Sequence, residues 1–137
     1  MKTFDHISNT SKMLFLDDWR IPRDCATYMW QRRVNCTIFH KHWDIVRSYG
    51  DFVKWVDENG VPDLVSFDYD LADVEELREK LTFEKWFNLD ENRVWTGLDC
   101  AKYLFDYCKE KNIDFPDYII HSANPDGTEE IKKLLSV

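Results

Sequence analysis

Three short apolar runs in this chain each stop on polar residues. "MLFLDD" ends at Asp17 and Asp18, "LVSFDYD" ends at Asp68 and Asp70, and "YIIHSAN" ends at His121, Ser122 and Asn124. Continuous apolar runs of four or so residues are the mark of strands buried on both faces, and such strands belong to parallel sheets. Pro62 and Pro116 lie just ahead of the second and third of these runs, as strand entries. Parallel neighbours place their carboxyl ends together, so residues remote in sequence converge on one rim of the sheet.

Helical patterns alternate with these runs. Phe52, Val53, Trp55 and Val56 form one helical face, closed by Asn59-Gly60 as a C-cap. "TGLDCAKYLFDYCKEKN" carries an apolar stripe of Leu98, Ala101, Tyr103, Leu104 and either Tyr107 or Cys108, with Thr96 as N-cap. "NPDGTEEIKKLL" predicts a last helix starting near Pro125–Thr128, and "DIVRSY", Asp44–Tyr49, reads as a further strand. The alternation predicts an α/β three-layer sandwich, with a mainly parallel sheet of about four strands in order 2-1-3-4 and helices on both faces. At 137 residues one domain spanning 1–137 is expected. It is interrupted by an irregular insert at about 20–42, with a short strand or hairpin around Thr37–His40, and by a charged, partly helical insert at about 72–95.

Charge limits the partners. The net charge is −8, with +3 in residues 1–50 and −11 in the remainder. A chain this acidic is unsuited to tracking along duplex DNA. No apolar run approaches membrane-spanning length and no signal peptide is legible, so a cytoplasmic location is expected. Cys25, Cys36, Cys100 and Cys108 show no CxxC spacing and read as free thiols.

The rim carries the chemistry. Several carboxylates brought within a few ångströms repel one another unless a cation joins them. A hard dication held by carboxylate oxygens, Mg²⁺ or Mn²⁺, is the expected cofactor. Asp17, Asp18 and Asp68 are the expected ligands. Asp70 either joins them or caps the next turn. His121, with an ordinary pKa near 6.5, suits proton transfer. Ser122 offers a hydroxyl donor, and Asn124 either steadies a substrate oxygen or caps the last helix. Arg20 either neutralises a carboxylate or clamps a phosphate. Arg23, Arg32, Arg33 and Lys41, interleaved with Tyr28, Trp30 and Trp43, are candidates for a lip that stacks a base. "HKH", His40 and His42, lacks a third nearby ligand for zinc. The acidic 72–93 segment is a solvated face or a docking surface for a protein.

"LFLDD", "PDLVSFD" and "DYIIHSA" together resemble the signature segments of response-regulator receiver domains. That resemblance implies metal ligation by Asp17 and Asp18, a metal-binding or phosphoryl-accepting role for Asp68, and a phosphoryl contact for Ser122. With "LFLDDWRIP", "SFDYDL", "TGLDCAKYL" and "HSANPDG" in order, the chain is more closely similar to a divergent branch, the cyclic-phosphate-processing receiver-like domains. This branch implies action on cyclic or terminal phosphates of nucleotides or RNA ends. Two departures stand out. Receivers end a fifth strand in a Lys that pairs with the phosphorylated Asp, and neither that strand nor that Lys is seen. Where the branch often carries His, this chain has Tyr69. The functional expectation is therefore Mg²⁺-dependent phosphoester processing or phosphate binding. The alternatives are a signalling module phosphorylated on Asp68, and a degenerate interaction protein.

Overall fold

The computed structural model describes residues 3–71 and 95–136. Its four strands, β1 (Met13–Leu16), β2 (Asp44–Val46), β3 (Leu64–Phe67) and β4 (Asp117–Ile120), form one sheet in the order β2-β1-β3-β4. Every pairing is parallel. The predicted order and α/β class hold. The acidic 72–93 segment, and with it nearly all of the charged insert, lies outside the described residues.

Alternation along the strands builds two cores. Leu14, Leu16, Val65, Phe67 and Ile120 face one side, covered by α2 (Tyr49–Asn59), α3 (Gly97–Lys111) and α4 (Pro125–Leu135). Phe52 and Val56 of α2, Leu104 of α3 and Ile131 of α4 are fully buried there. Met13, Phe15, Leu64 and Ile119 face the other side. Their cover is not a layer of long helices. It is the one-turn α1 (Pro22–Cys25) and two 3₁₀ turns, Met29–Arg32 and Cys36–His40, which bury Cys25, Met29, Ile38, Phe39 and Trp43. The segment predicted as an irregular insert thus makes the parallel crossover from β1 to β2 and roofs half the sheet.

Two boundaries differ from the sequence expectation. The strand or hairpin expected near Thr37–His40 is the second 3₁₀ turn, opened by the Asn35 side chain accepting from the Thr37 N–H (3.2 Å). β2 ends at Val46 instead of reaching Tyr49, because Ser48 caps α2: its Oγ accepts from the Asp51 N–H at 3.1 Å. Gly60 closes that helix at φ +81°, a backbone state that favours glycine. The four cysteines are free, with Cys25, Cys100 and Cys108 buried. Among the described residues no helix is long and apolar enough to cross a membrane.

Candidate functional site

Strand register decides what meets at the rim. Leu16 pairs with Phe67, and Phe67 with Ile120. One step further along each strand stand Asp17, Asp68 and His121. The ladder carries through this step: Asp68 N–H donates to the Leu16 carbonyl (3.0 Å) and His121 N–H to the Phe67 carbonyl (3.0 Å). Adjacent strands lie about 4.8 Å apart, and all three positions share the parity of Phe15, Ser66 and Ile119. Their side chains therefore emerge side by side on the face roofed by the 20–42 segment. Asp17, Asp68 and His121 each offer an atom within 4.8 Å of the other two, and all three are buried.

The hydrogen bonds fix their states. Asp17 Oδ1 accepts from the backbone N–H groups of Trp19 (3.0 Å) and Arg20 (2.8 Å). Its Oδ2 lies 3.0 Å from His121 Nε2 and 3.7 Å from Arg20 Nη1. Burial pushes the Asp17 carboxyl up, but the His121 bond and the two amides outweigh it and hold its pKa below the usual value. Burial pushes the His121 pKa down, against the pull of Asp17. A neutral ring facing a carboxylate must donate from Nε2. Nδ1 is then the acceptor for the Ser66 hydroxyl, 2.7 Å away. The ring stacks on Phe15, with centroids 4.5 Å apart and planes 7° apart.

Asp68 is the strained member of the row. Desolvation, and then the neighbouring Asp17 charge, push its carboxyl up to about 7, while the Tyr69 N–H on Oδ1 (2.8 Å) and Arg20 pull the other way. Its backbone has a tight neighbour: Gly97 N–H donates to the Tyr69 carbonyl at 2.7 Å, seating the start of α3 against the end of β3.

An open cleft of about 460 Å³ lies over this row, lined by Asp18, Trp19, Arg20, Asp68, Asp70 and Asn124. The structure thus brings Asp18, Asp68 and Asp70 to one cavity, with Asp17 buried beneath. Asp70 is exposed and accepts from Asn124 Nδ2 at 3.3 Å. Of the two expected uses of Asn124, the cap is present: its Oδ1 accepts from the Gly127 N–H at the start of α4 (2.9 Å). Ser122 is buried, and its Oγ accepts from the Asn124 N–H (3.0 Å). Both nitrogens of His121 are engaged inside the protein. Tyr69 directs its hydroxyl to Glu130 (2.8 Å).

The roofing segment is fastened to the strand ends through backbone carbonyls. Tyr28 Oη donates to the His121 carbonyl (2.5 Å) and accepts from Arg20 Nη1 (3.0 Å). Arg32 donates to the Ile120 carbonyl (3.2 Å), and Arg47 to those of Asp17 (3.2 Å) and Arg20 (2.6 Å). These side chains satisfy carbonyls at and just beyond the strand ends. The expected basic aromatic lip is split by this arrangement. Trp43 is a core residue, its indole N–H bonded to the Ile38 carbonyl at 3.0 Å. Arg23 and Lys41 line a different cavity from Tyr28 and Arg32. Ser66, Arg47 and Gly97 were not singled out for the site from sequence, and Tyr28 was read only as part of the lip. The parity of Ser66 with Asp68 was the one signal that could have found any of them.

The donor set suits a hard dication. Two carboxylates in one buried row, one of them pushed up to about 7 by burial and then by the other's charge, are the situation a divalent cation relieves, and Asp18 lines the same cleft outside their close group. His121, whose Nε2 already faces Asp17, is a poor further ligand. The cluster fits a metal site or a phosphoryl acceptor.

A family model described as "Cyclic-phosphate processing Receiver domain" matches residues 12–137. No curated protein matches the chain. A solved structure described as a yeast Spc42 trimeric coiled-coil segment fused to another structure is 14% identical, with a TM-score of 0.52. The match covers 90% of this chain, which spans 60% of the length of that one. The N-terminal domain of a response regulator/sensory box/GGDEF three-domain protein from Carboxydothermus hydrogenoformans is 13% identical, with a TM-score of 0.42, covering 90% of this chain and 92% of that one.

Proposed function

The chain belongs to the cyclic-phosphate-processing receiver family, and from that membership we propose that it binds and hydrolyses cyclic phosphoesters at the carboxyl rim of its sheet, with Mg²⁺ or Mn²⁺. The observation that carries this reading is the register-fixed pair Asp17–Asp68 beneath an open cleft that also holds Arg20.

Asp17, Asp18 and Asp68 would hold the dication. When bound, it supplies positive charge against the phosphoryl oxygens. The chain's own residues do the rest. His121 donates to Asp17 and keeps that carboxylate ionised and oriented, so it acts as a positioning residue and not as the proton carrier first expected of it. Arg20, fastened by Tyr28, aims its guanidinium at the cleft and orients non-bridging oxygens. It supplies a fixed positive charge at the site. In the hydrolytic step a water oxygen bonds to phosphorus, one ring P–O bond breaks, and the leaving oxygen ends protonated. Asp70, oriented by Asn124 Nδ2, accepts the water proton and returns it to the leaving oxygen as the ring P–O bond breaks.

Incubation with 2′,3′- and 3′,5′-cyclic nucleotides, followed by ³¹P NMR, tests this. Monoester formed with Mg²⁺ or Mn²⁺, lost with EDTA and in Asp68→Asn, is expected. Neither metal-dependent turnover nor metal-dependent binding of any cyclic phosphate would sink the reading.

A second reading rests on Asp68 itself, which ends the third strand where receivers carry their phosphoryl acceptor. Beryllofluoride with Mg²⁺ would then move the amide resonances of Asp68, Tyr69 and Ser122. Unchanged spectra would dismiss it.

A further inference from the structure

A second cleft, of about 520 Å³, adjoins the carboxylate cleft and shares Trp19, Arg20 and Ala123 with it as a common wall. Its other sides are Asp24, Tyr28 and Arg32 among their neighbours. The two halves differ in chemistry. One is walled by carboxylates and an amide, the other mostly by aromatic and aliphatic carbon with two guanidinium groups. Trp19 stands at the junction with 70% of its surface exposed, although its own backbone N–H is tied to Asp17. The Arg20 guanidinium lies 5.2 Å from the Trp19 ring and 5.8 Å from that of Tyr28, and Arg32 lies 5.7 Å from Tyr28. An indole held in place yet uncovered, beside flat cationic groups, is a stacking platform.

We propose that this cleft takes the base of a nucleoside monophosphate whose cyclic phosphate lies in the carboxylate cleft. The inference rests on the phosphoester reading above and names its substrate class. Asp24 gives the cleft its direction. Its carboxylate, anchored by the Ile21 N–H (2.9 Å), repels a second phosphate but accepts from an exocyclic amino group of a base. The volume suits a base with part of its ribose. With the Asp24 carboxylate inside the cleft, a further phosphate there is disfavoured, so the occupant is a mononucleotide and not an RNA end.

Calorimetric titration of the Mg²⁺-loaded protein tests this without depending on turnover. The probes are adenosine 2′,3′-cyclic phosphorothioate, which resists hydrolysis, and the base-free methylribose 2′,3′-cyclic phosphorothioate. The wild type should bind the nucleotide about tenfold more tightly than the base-free probe, and Trp19→Ala should bring that ratio near one. Because Trp19 is largely exposed, its replacement leaves the core intact, and circular dichroism verifies this. Equal affinities in the wild type, or an unchanged ratio in Trp19→Ala, would overturn the base site while leaving the phosphoester reading in place. Binding of neither probe overturns both. An oligoribonucleotide with the same terminal group that binds tenfold more tightly than the mononucleotide would replace the mononucleotide with an RNA end as the occupant.

Discussion

Gly97 lies so close to Asp68 that a β-carbon at Gly97 would sit 1.6 Å from the Asp68 carbonyl oxygen. The obstacle is backbone, which cannot swing aside as a side chain can. Gly97→Ala must push α3 off the end of β3 and is expected to cost about 3 kcal/mol in urea unfolding, with weakened Mg²⁺ binding. Gly50→Ala is the control, since its nearest neighbour would be Ser48 Oγ at 4.0 Å. It should be neutral or stabilise by roughly 0.5 kcal/mol. A Gly97→Ala protein of wild-type stability would contradict the close approach.

The raised pKa of Asp68 makes stability depend on pH in a defined direction. Its native value of about 7 exceeds the unfolded value, so the folded state holds the extra proton between about pH 4 and 7. Stability contributed this way falls as pH rises through that window. Without metal, Asp68→Asn should therefore be the more stable protein at pH 8, by roughly 2–4 kcal/mol, and the difference should vanish near pH 4. Thermal unfolding across pH measures it.

Metal competes with that same proton. Mg²⁺ is expected to raise the Tm of the wild type clearly at pH 8 and little at pH 5, and to leave Asp68→Asn unmoved. A shift that is equal at both pH values would separate metal binding from this row.

Asp17 works in the opposite sense. Its native pKa lies below the unfolded value, so its contribution is complete above about pH 4 and is lost as pH falls through the native value. Asp17→Asn should cost roughly 2 kcal/mol at pH 7 through weakened charge-assisted bonds. The gap to the wild type should narrow as pH falls below about 4. Equilibrium denaturation across this range checks both claims.

The His121 pKa lies below 6.5, where an unfolded His gains its proton. Its contribution to stability is therefore present above pH 6.5 and erodes below it. Nitrogen-15 spectra should show a protonated Nε2 and a bare Nδ1. A proton on Nδ1 with a bare Nε2 on the neutral ring would refute the pairing with Asp17 and Ser66.

Much of this site could be read from the chain itself. "MLFLDD", "LVSFDYD" and "YIIHSAN" each announce a buried strand with a polar exit, and period-two alternation places Asp17, Asp68 and His121 on one face once the strands are parallel. The three long helices were equally legible, because Thr96, Asn124 and Gly60 act within a few residues of where they stand. Such features are local, and local physical chemistry is written in local sequence. The tertiary structure alone decided what depends on neighbours remote along the chain. Sequence suggested a proton carrier at His121, but its tautomer and availability follow from Asp17 and Ser66, 104 and 55 residues away. The 20–42 segment has no periodicity to read because its role is set by the sheet it covers and the open carbonyls it caps. Whether Trp19 or Trp43 faces solvent was likewise settled by packing: both are tryptophans in irregular chain, and only the fold determines which ring the core has room for.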